Sequence, residues 1–568
     1  MSAPEQQREL FFNDVTLRDG EQAPGNTMAE DEKIAIAQQL VRMGIPGIEA
    51  GFPIASRGDF RAVERIAHEV GPMRLPSAAS GSTHPRISGL ARLDGRDIDA
   101  ALRAARGAPH RGIHTFISTS RAQLVKFADA LRKRGADPES MRDFLEQIVF
   151  TGIEEHFAMI RETDPDTVIH FSPEDWTRTD EAVSDDVVLA AAENGANVIN
   201  LPDTVGIGIP RVIGQRVAHV RALLDQHGFR GVVISWHGHN DTGQGVACSM
   251  EALYGGAQQF ETTVLGIGER TGNFSFESTL AALDANRAEH ERMIGMPIRD
   301  TLVRGEVMRT AQLVASTIGV RIPRESPIVG ENAFAHESGI HQQGVLAGRN
   351  AGNGQVYEIL SPETYGAMSK IILGKHSGWA GMRDFLQQHR LPFREQDRAA
   401  FVSALSTAAD ERRKGLSDAE VLEQVYYPTV IQITRGPYVK DVYPNRTVAG
   451  EPKSVMVSCG PEDACYGLVG QATAKDEGAL DAFMQVLKRH IPDVEVKEFS
   501  VRNKPGEEGA SSTAIATVVL RNGFEGMGVA EHHDTEQAGL LAVQRAFNAL
   551  CARERYARMG SDSSDAAQ

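Results

Sequence analysis

The chain has 568 residues, 41% of them hydrophobic, and a net charge of -17, which is too much for one ordinary domain and ample for two or more folded units. The acidic balance excludes the basic face that a nucleic-acid or membrane-surface partner needs. No run of about 18 uncharged apolar residues occurs and residues 1–7 have no apolar leader core, so a cytoplasmic setting is expected. The four cysteines, Cys248, Cys459, Cys465 and Cys551, show no paired spacing and read as reduced.

From residue 10 a short apolar run, a polar turn and a helix of 3.6 period recur. Strands are expected at 10–15, 47–51, 73–79, 112–117, 167–172, 197–201, 231–236 and 261–266. Ser184 reads as the N-cap of a helix over 185–194 that stops at Gly195, and Pro210 opens another that ends before Gly228. Strands separated by helices imply parallel crossovers, and eight of them over 1–285 fit a (β/α)8 TIM barrel better than an open sheet. No Gly-x-Gly-x-x-Gly follows the first strand and there is no Walker A motif, which counts against nucleotide binding. A linker region of helical subdomains is expected over 286–435. Over 436–555 strands at 453–459, 466–472, 493–501 and 511–521 with helices at 476–489 and 534–550 suggest a pseudosymmetric α+β module, and 556–568 reads as a disordered tail.

Active-site residues of such a barrel sit at the C-terminal ends of its strands. There the sequence places Arg18 and Asp19, Glu49, His114, Ser172 and Glu174, Asn200, Pro202 and Thr204, the pair His237 and His239, and Gly268 to Asn273. His237 and His239 are two apart after an apolar run, so in an extended strand both imidazoles point to one side. With Asp19, and the Asn273 amide as a fourth ligand, they form a thiolate-free O/N set suited to Mg2+ or Mn2+ and compatible with Zn2+. Such an ion acts as a Lewis acid on a chelating 2-oxo acid. Arg18 is placed to neutralise a ketone oxygen becoming an alkoxide; the competing reading is an ion pair with a barrel carboxylate. His114, Ser172, Asn200, Pro202, Thr204 and Glu49 are the candidates for contacting substrate.

Asp14-Val15-Thr16-Leu17-Arg18-Asp19-Gly20-Glu21-Gln22, Glu49-Ala50-Gly51-Phe52-Pro53, Asn200-Leu201-Pro202-Asp203-Thr204, the histidine pair and Gly268-Glu269-Arg270-Thr271-Gly272-Asn273 together resemble the 2-isopropylmalate synthase group of Claisen-type acyltransferases, which includes homocitrate and citramalate synthases. The likeness continues in Phe334-Ala335-His336-Glu337-Ser338-Gly339-Ile340-His341-Gln342 and Leu373-Gly374-Lys375-His376-Ser377-Gly378. The resemblance implies that acetyl-CoA loses a methyl proton, the enolate attacks a 2-oxo acid, and thioester hydrolysis releases CoA. It implies metal binding by Asp19, His237, His239 and Asn273, ketone polarisation by Arg18, and proton transfer by Glu174 and His341. His341 would come from the partner subunit of a homodimer, and the C-terminal module would be a leucine-sensing regulatory domain. The segment Ala530-Glu531-His532-His533-Asp534-Thr535 departs from the usual Gly-x-x-Thr-Asp form there, which leaves the effector open. The acceptor named by the resemblance is 2-oxoisovalerate; 2-oxoglutarate, pyruvate and another 2-oxo acid stay open, because His170 stands where a basic residue could meet a second carboxylate. A decayed, non-catalytic amino-acid sensor is disfavoured because no ligand is missing, and a retro-Claisen lyase by the large C-terminal extension.

Overall fold

Runs such as Val232-Val233-Ile234 and Val198-Ile199 alternate with helices because each short β-branched segment needs apolar cover on its outer face, which the following helix supplies. In the computed structural model, which describes residues 8–77, 82–352, 356–412, 415–434, 439–444, 453–459, 471–474, 479–503 and 514–561, these segments close into an eight-stranded parallel barrel. Its strands are β1 (Phe11–Asp14), β2 (Gly47–Glu49), β3 (Arg86–Arg92), β4 (His110–Ser118), β5 (Val168–Glu174), β6 (Val198–Asp203), β7 (Val233–Gly238) and β8 (Gln259–Thr262). Strand β8 pairs back onto β1 in register Phe12 to Phe260.

Residues two apart along these strands share a side. Ile113, Ile169, Ile199, Ile234 and Phe260 join the apolar core, whereas the intervening His114, His170, Asn200, Ser235 and Glu261 are buried polar residues. The barrel interior is therefore a polar column and not the branched aliphatic packing usual for the fold.

One strand lies elsewhere than expected. Residues 74–77 form no strand, residues 78–81 lie outside the described residues, and the third strand is Arg86–Arg92. Pro76 has no N–H for a central ladder, whereas Gly89, which reads locally as a breaker, is needed because a Cβ there would lie 3.0 Å from the Pro53 ring. The helix expected to start after Ser184 spans Glu181–Glu193, with Asp180 as its N-cap residue. Ser184 is instead buried and accepts a 2.8 Å hydrogen bond from Trp176 Nε1. The helix from Pro210 runs to Gln226, as read.

The chain divides into two compact units, one of residues 1–334 with 359–369 and one of 335–358 with 370–568. Residues 286–334, grouped with the linker in the sequence reading, contribute Ile298, Leu302, Val307, Ala311 and Val314 to the barrel unit's core. In the second unit the described residues of the C-terminal third include two three-stranded antiparallel sheets. Val439–Pro444, Lys453–Cys459 and Gln471–Ala474 precede the helix Ala479–His490; Glu495–Asn503, Ala514–Arg521 and Glu525–His532 precede the helix Thr535–Ser561. Both helices share one core through Phe483, Val486, Leu487, Leu540, Val543 and Phe547. The strand Glu525–His532 has no signal in propensity because of Gly526 and Gly528. A Cβ at those sites would meet Ala546 O at 2.3 Å and Ala542 O at 2.1 Å, so glycine is what lets the last helix pack onto the sheet. That helix also overturns the expected start of a disordered tail at 556: it continues to Ser561, and Tyr556 is buried. Residues 562–568 lie outside the described residues. Cys248 is a buried free thiol, and no helix among the described residues is long and apolar enough to cross a membrane.

Candidate active site

The turn after β1 is built by Asp14, whose carboxylate accepts from Thr16 N (2.9 Å) and Thr16 Oγ1 (3.0 Å). Arg18, Asp19 and Gly20 then all donate their backbone N–H to Val15 O, which brings Arg18 and Asp19 over the barrel mouth. Across it, β7 ends at Gly238 and delivers His237 and His239. Ligand atoms of Asp19, His237 and His239 lie within 4.8 Å of one another, with His237 Nε2 3.9 Å from Asp19 Oδ2. Asn273 is tied to His239 by a backbone bridge. Its Nδ2 donates to Asp19 Oδ1 (2.9 Å) and Ile267 O (3.0 Å), and its Oδ1 is buried without a hydrogen-bond partner.

Burial alone would raise the Asp19 pKa, but Arg18, His237 and His239 outweigh it and hold the carboxyl well below the usual range. Burial drives His237 down to about 3 against the pull of Asp19, and it lowers His239 likewise. A permanent carboxylate, two neutral imidazoles and an amide oxygen in want of a partner are the donor set of a divalent metal centre. These four residues fit such an ion.

Arg18 pairs with two carboxylates, through Nε to Glu49 Oε1 (2.9 Å), Nη2 to Glu49 Oε2 (3.3 Å) and Nη1 to Asp19 Oδ2 (2.6 Å). The internal ion pair of the competing reading is thus real, and Arg18 still lines the cavity. Glu49 is fully buried; burial would raise its pKa, but Arg18 and His114 bring it down to about 2. A polar chain continues from Glu49. His114 Nδ1 lies 3.0 Å from Glu49 Oε2 and its Nε2 2.7 Å from Ser172 Oγ, while Asn200 Nδ2 donates to Ser172 Oγ (2.9 Å) and Glu261 Oε2 (3.2 Å). Burial pushes the Glu261 carboxyl up to about 7. With both its nitrogens engaged, His114 does not make a second metal site of the neighbouring His114, His170 and Glu261 cluster.

Glu174 ends β5, where it accepts from Ser118 Oγ and from Lys126 Nζ at 3.2 Å. The next residue, Asp175, is in the left-handed region (φ 69°) and donates its N–H to Thr204 Oγ1 at 2.9 Å. That strained turn aims Glu174 at the cavity and uses Thr204 as a brace.

The cavity has a volume of about 280 Å³ and takes in Arg18, Asp19, His114, Ser172, Glu174, Asn200, Pro202, Thr204, His237 and His239. Glu49 lies beneath, holding Arg18 and His114. Phe52, Leu90, Phe116 and Pro202 give the cavity an apolar wall, and Glu261, absent from the strand-end reading, also lines it. Leu90 belongs to the misplaced third strand. No local signal marks Glu261: of the strand Gln259–Thr262 only Phe260 is apolar, and the burial of all four residues appears only in the fold. His170 is corrected: it is buried, stacked on His114 with ring centroids 4.1 Å apart, and does not line the cavity. It cannot serve a second substrate carboxylate from there.

The HMGL-like family profile matches residues 9–314, and that of the homocitrate synthase post-HMGL domain-like family matches 328–413. A 2-isopropylmalate synthase from Parasynechococcus marenigrum (strain WH8102) is 37% identical over 97% of this chain and 96% of its own. One from Pyrococcus furiosus is 40% identical over 96% of this chain and 99% of its own. The chain belongs to the 2-isopropylmalate synthase family. In this member of the 2-isopropylmalate synthase family, His341 lies within the post-HMGL match, in the second unit. It is exposed on the helix Gly339–Asn350, is stacked on Tyr357 at 4.2 Å, and is not among the residues lining the barrel cavity.

Proposed function

We propose that the chain condenses acetyl-CoA with 2-oxoisovalerate and water to give 2-isopropylmalate and CoA, the first committed step of leucine biosynthesis. The observation that carries this is the pairing, in one cavity, of a buried Asp19, His237 and His239 cluster with an apolar wall of Phe52, Leu90, Phe116 and Pro202. The first suits the 2-oxo acid head of the acceptor and the second its branched apolar tail.

When bound, a divalent ion, Mg2+ or Mn2+ with Zn2+ also compatible, would supply Lewis acidity toward the 2-oxo acid. Asp19, His237, His239 and the Asn273 oxygen would hold it. Arg18, locked by Glu49, sets a fixed positive charge beside the ketone oxygen that gains negative charge on carbon–carbon bond formation. Glu174 takes the proton from the acetyl methyl group; Ser118 and Lys126 orient its carboxylate. His114, Ser172 and Asn200 orient the acceptor. His341 completes the proton transfers from the partner subunit of a cytosolic homodimer, and the C-terminal module tunes the rate in response to leucine or another end product.

The test is a CoA-release assay across 2-oxoisovalerate, pyruvate and 2-oxoglutarate, with and without leucine. The highest kcat/KM is expected for 2-oxoisovalerate. Activity is expected to vanish on exhaustive chelation and return with Mg2+ or Mn2+. A preference for 2-oxoglutarate or pyruvate would overturn the acceptor; full turnover in demonstrably metal-free protein would overturn the metal.

A further inference from the structure

Glu261 is a carboxylate on which four side chains converge. Strands β7 and β8 pair in register His237 to Glu261, so the two side chains leave neighbouring strands at one level. Glu261 Oε2 lies 3.4 Å from His237 Nδ1 and accepts from Asn200 Nδ2 at 3.2 Å. Its Oε1 is 3.1 Å from His170 Nε2 and 3.9 Å from His114 Nδ1. Glu261 is fully buried, and Oε1 makes no aligned hydrogen bond.

The two nitrogens of His237 face different groups. Nε2 is the one near Asp19 (3.9 Å), so the proton of a neutral ring belongs on Nδ1 if Nε2 is to be a ligand. Nδ1 is buried and has no aligned hydrogen-bond partner. At 3.4 Å Glu261 Oε2 is at the long end of hydrogen-bond range.

We propose that Glu261 is a positioning residue of the metal centre: it accepts the Nδ1 proton of His237 and so fixes the tautomer whose Nε2 lone pair faces Asp19. This rests on the reading of Asp19, His237 and His239 as metal ligands. A carboxylate behind a ligating imidazole fixes its orientation and strengthens it as a donor. Through Asn200, which bridges Glu261 Oε2 and Ser172 Oγ, the same carboxylate ties the metal ligand to His114, the residue proposed to orient the acceptor.

The experiment is Mn2+ titration of the chelator-stripped, full-length protein, followed by the electron paramagnetic resonance of free Mn2+, for wild type, Glu261→Leu and Glu261→Gln. Leucine removes the acceptor, and the Mn2+ dissociation constant should rise by about 10- to 100-fold. Glutamine keeps a weaker, neutral acceptor, and a rise of about 10-fold is expected. Nitrogen-15 spectra of histidine-labelled, metal-free protein should show His237 protonated on Nδ1 in wild type and a tautomer mixture in Glu261→Leu, a change that loss of packing alone does not produce. Wild-type Mn2+ affinity in folded Glu261→Leu overturns the proposal. Should that variant not fold, unchanged affinity in Glu261→Gln overturns it. If the wild-type chain binds no Mn2+, the metal centre itself falls, and this role with it.

Discussion

Arg18 and Glu49 meet as a fork on a fork, with Nε to Oε1 at 2.9 Å and Nη2 to Oε2 at 3.3 Å, and only the Nη1 arm reaches Asp19. A lysine ammonium cannot span both Glu49 oxygens and Asp19 at once. Arg18→Lys is therefore expected to lower kcat by about 10²- to 10³-fold, the usual effect of losing one donor to a developing oxyanion. Steady-state CoA release checks this, and a near-normal kcat with only a raised KM would confine Arg18 to acceptor binding.

Gly268 faces Asp19 and Asn273 at contact distance. A Cβ there would lie 2.4 Å from Asn273 Nδ2 and 2.8 Å from Asp19 Oδ1. Gly268→Ala is expected to displace both groups and weaken metal binding by about 10-fold or more, while the barrel still folds. Mn2+ titration beside a far-ultraviolet circular dichroism melt checks this. Wild-type affinity would mean that the two side chains retreat without loosening the site.

Burial pushes the Glu277 carboxyl up to about 7, more than the Leu265 N–H, 3.0 Å from both its oxygens, draws it down. A raised acid pKa means that between its ordinary value and about 7 the folded state holds a proton the unfolded state has lost. This group's contribution to stability therefore falls as pH rises through that window. Glu277→Gln keeps an acceptor for Leu265 and cannot ionise. Relative to wild type it should gain stability from pH 5 to about pH 7 in thermal melts and level off above that. A difference that does not change with pH would show that Glu277 is not the group holding the proton.

Asp19 is on the barrel, whereas His341 belongs to the other unit of the chain. If the partner subunit delivers His341, mixing inactive Asp19→Ala and His341→Ala chains under conditions of subunit exchange should restore activity. Each heterodimer would then hold one site with both defects and one with neither, so half the wild-type rate is the most it can reach. Demonstrated heterodimers without activity would mean that His341 serves its own barrel.

The site was legible where chemistry and strand period coincide. His237 and His239 follow the apolar run Val232-Val233-Ile234, and their spacing already puts both rings on one side, while Asp19 lies in the polar turn after the first strand. Glu261 and Leu90 escaped, for different reasons. Glu261 has its meaning only through its neighbour His237 on β7. Leu90 sits on a strand masked by Gly89, whose need shows only against the Pro53 ring.

By itself the sequence determined the alternation of strand and helix, hence the parallel barrel, and the residue types gathered at its mouth, because local period and turn chemistry are properties of neighbouring residues. Only the tertiary structure decided what those residues touch. Arg18 is shared between Glu49 and Asp19, and His170 is spent on stacking against His114 below the cavity. Glycines that look like breakers, Gly89, Gly526 and Gly528, turn out to be strand residues under close cover. Each of these depends on a contact between segments distant in the chain, set by barrel closure and by the packing of helix on sheet, and such distances are not written in any local stretch of residues.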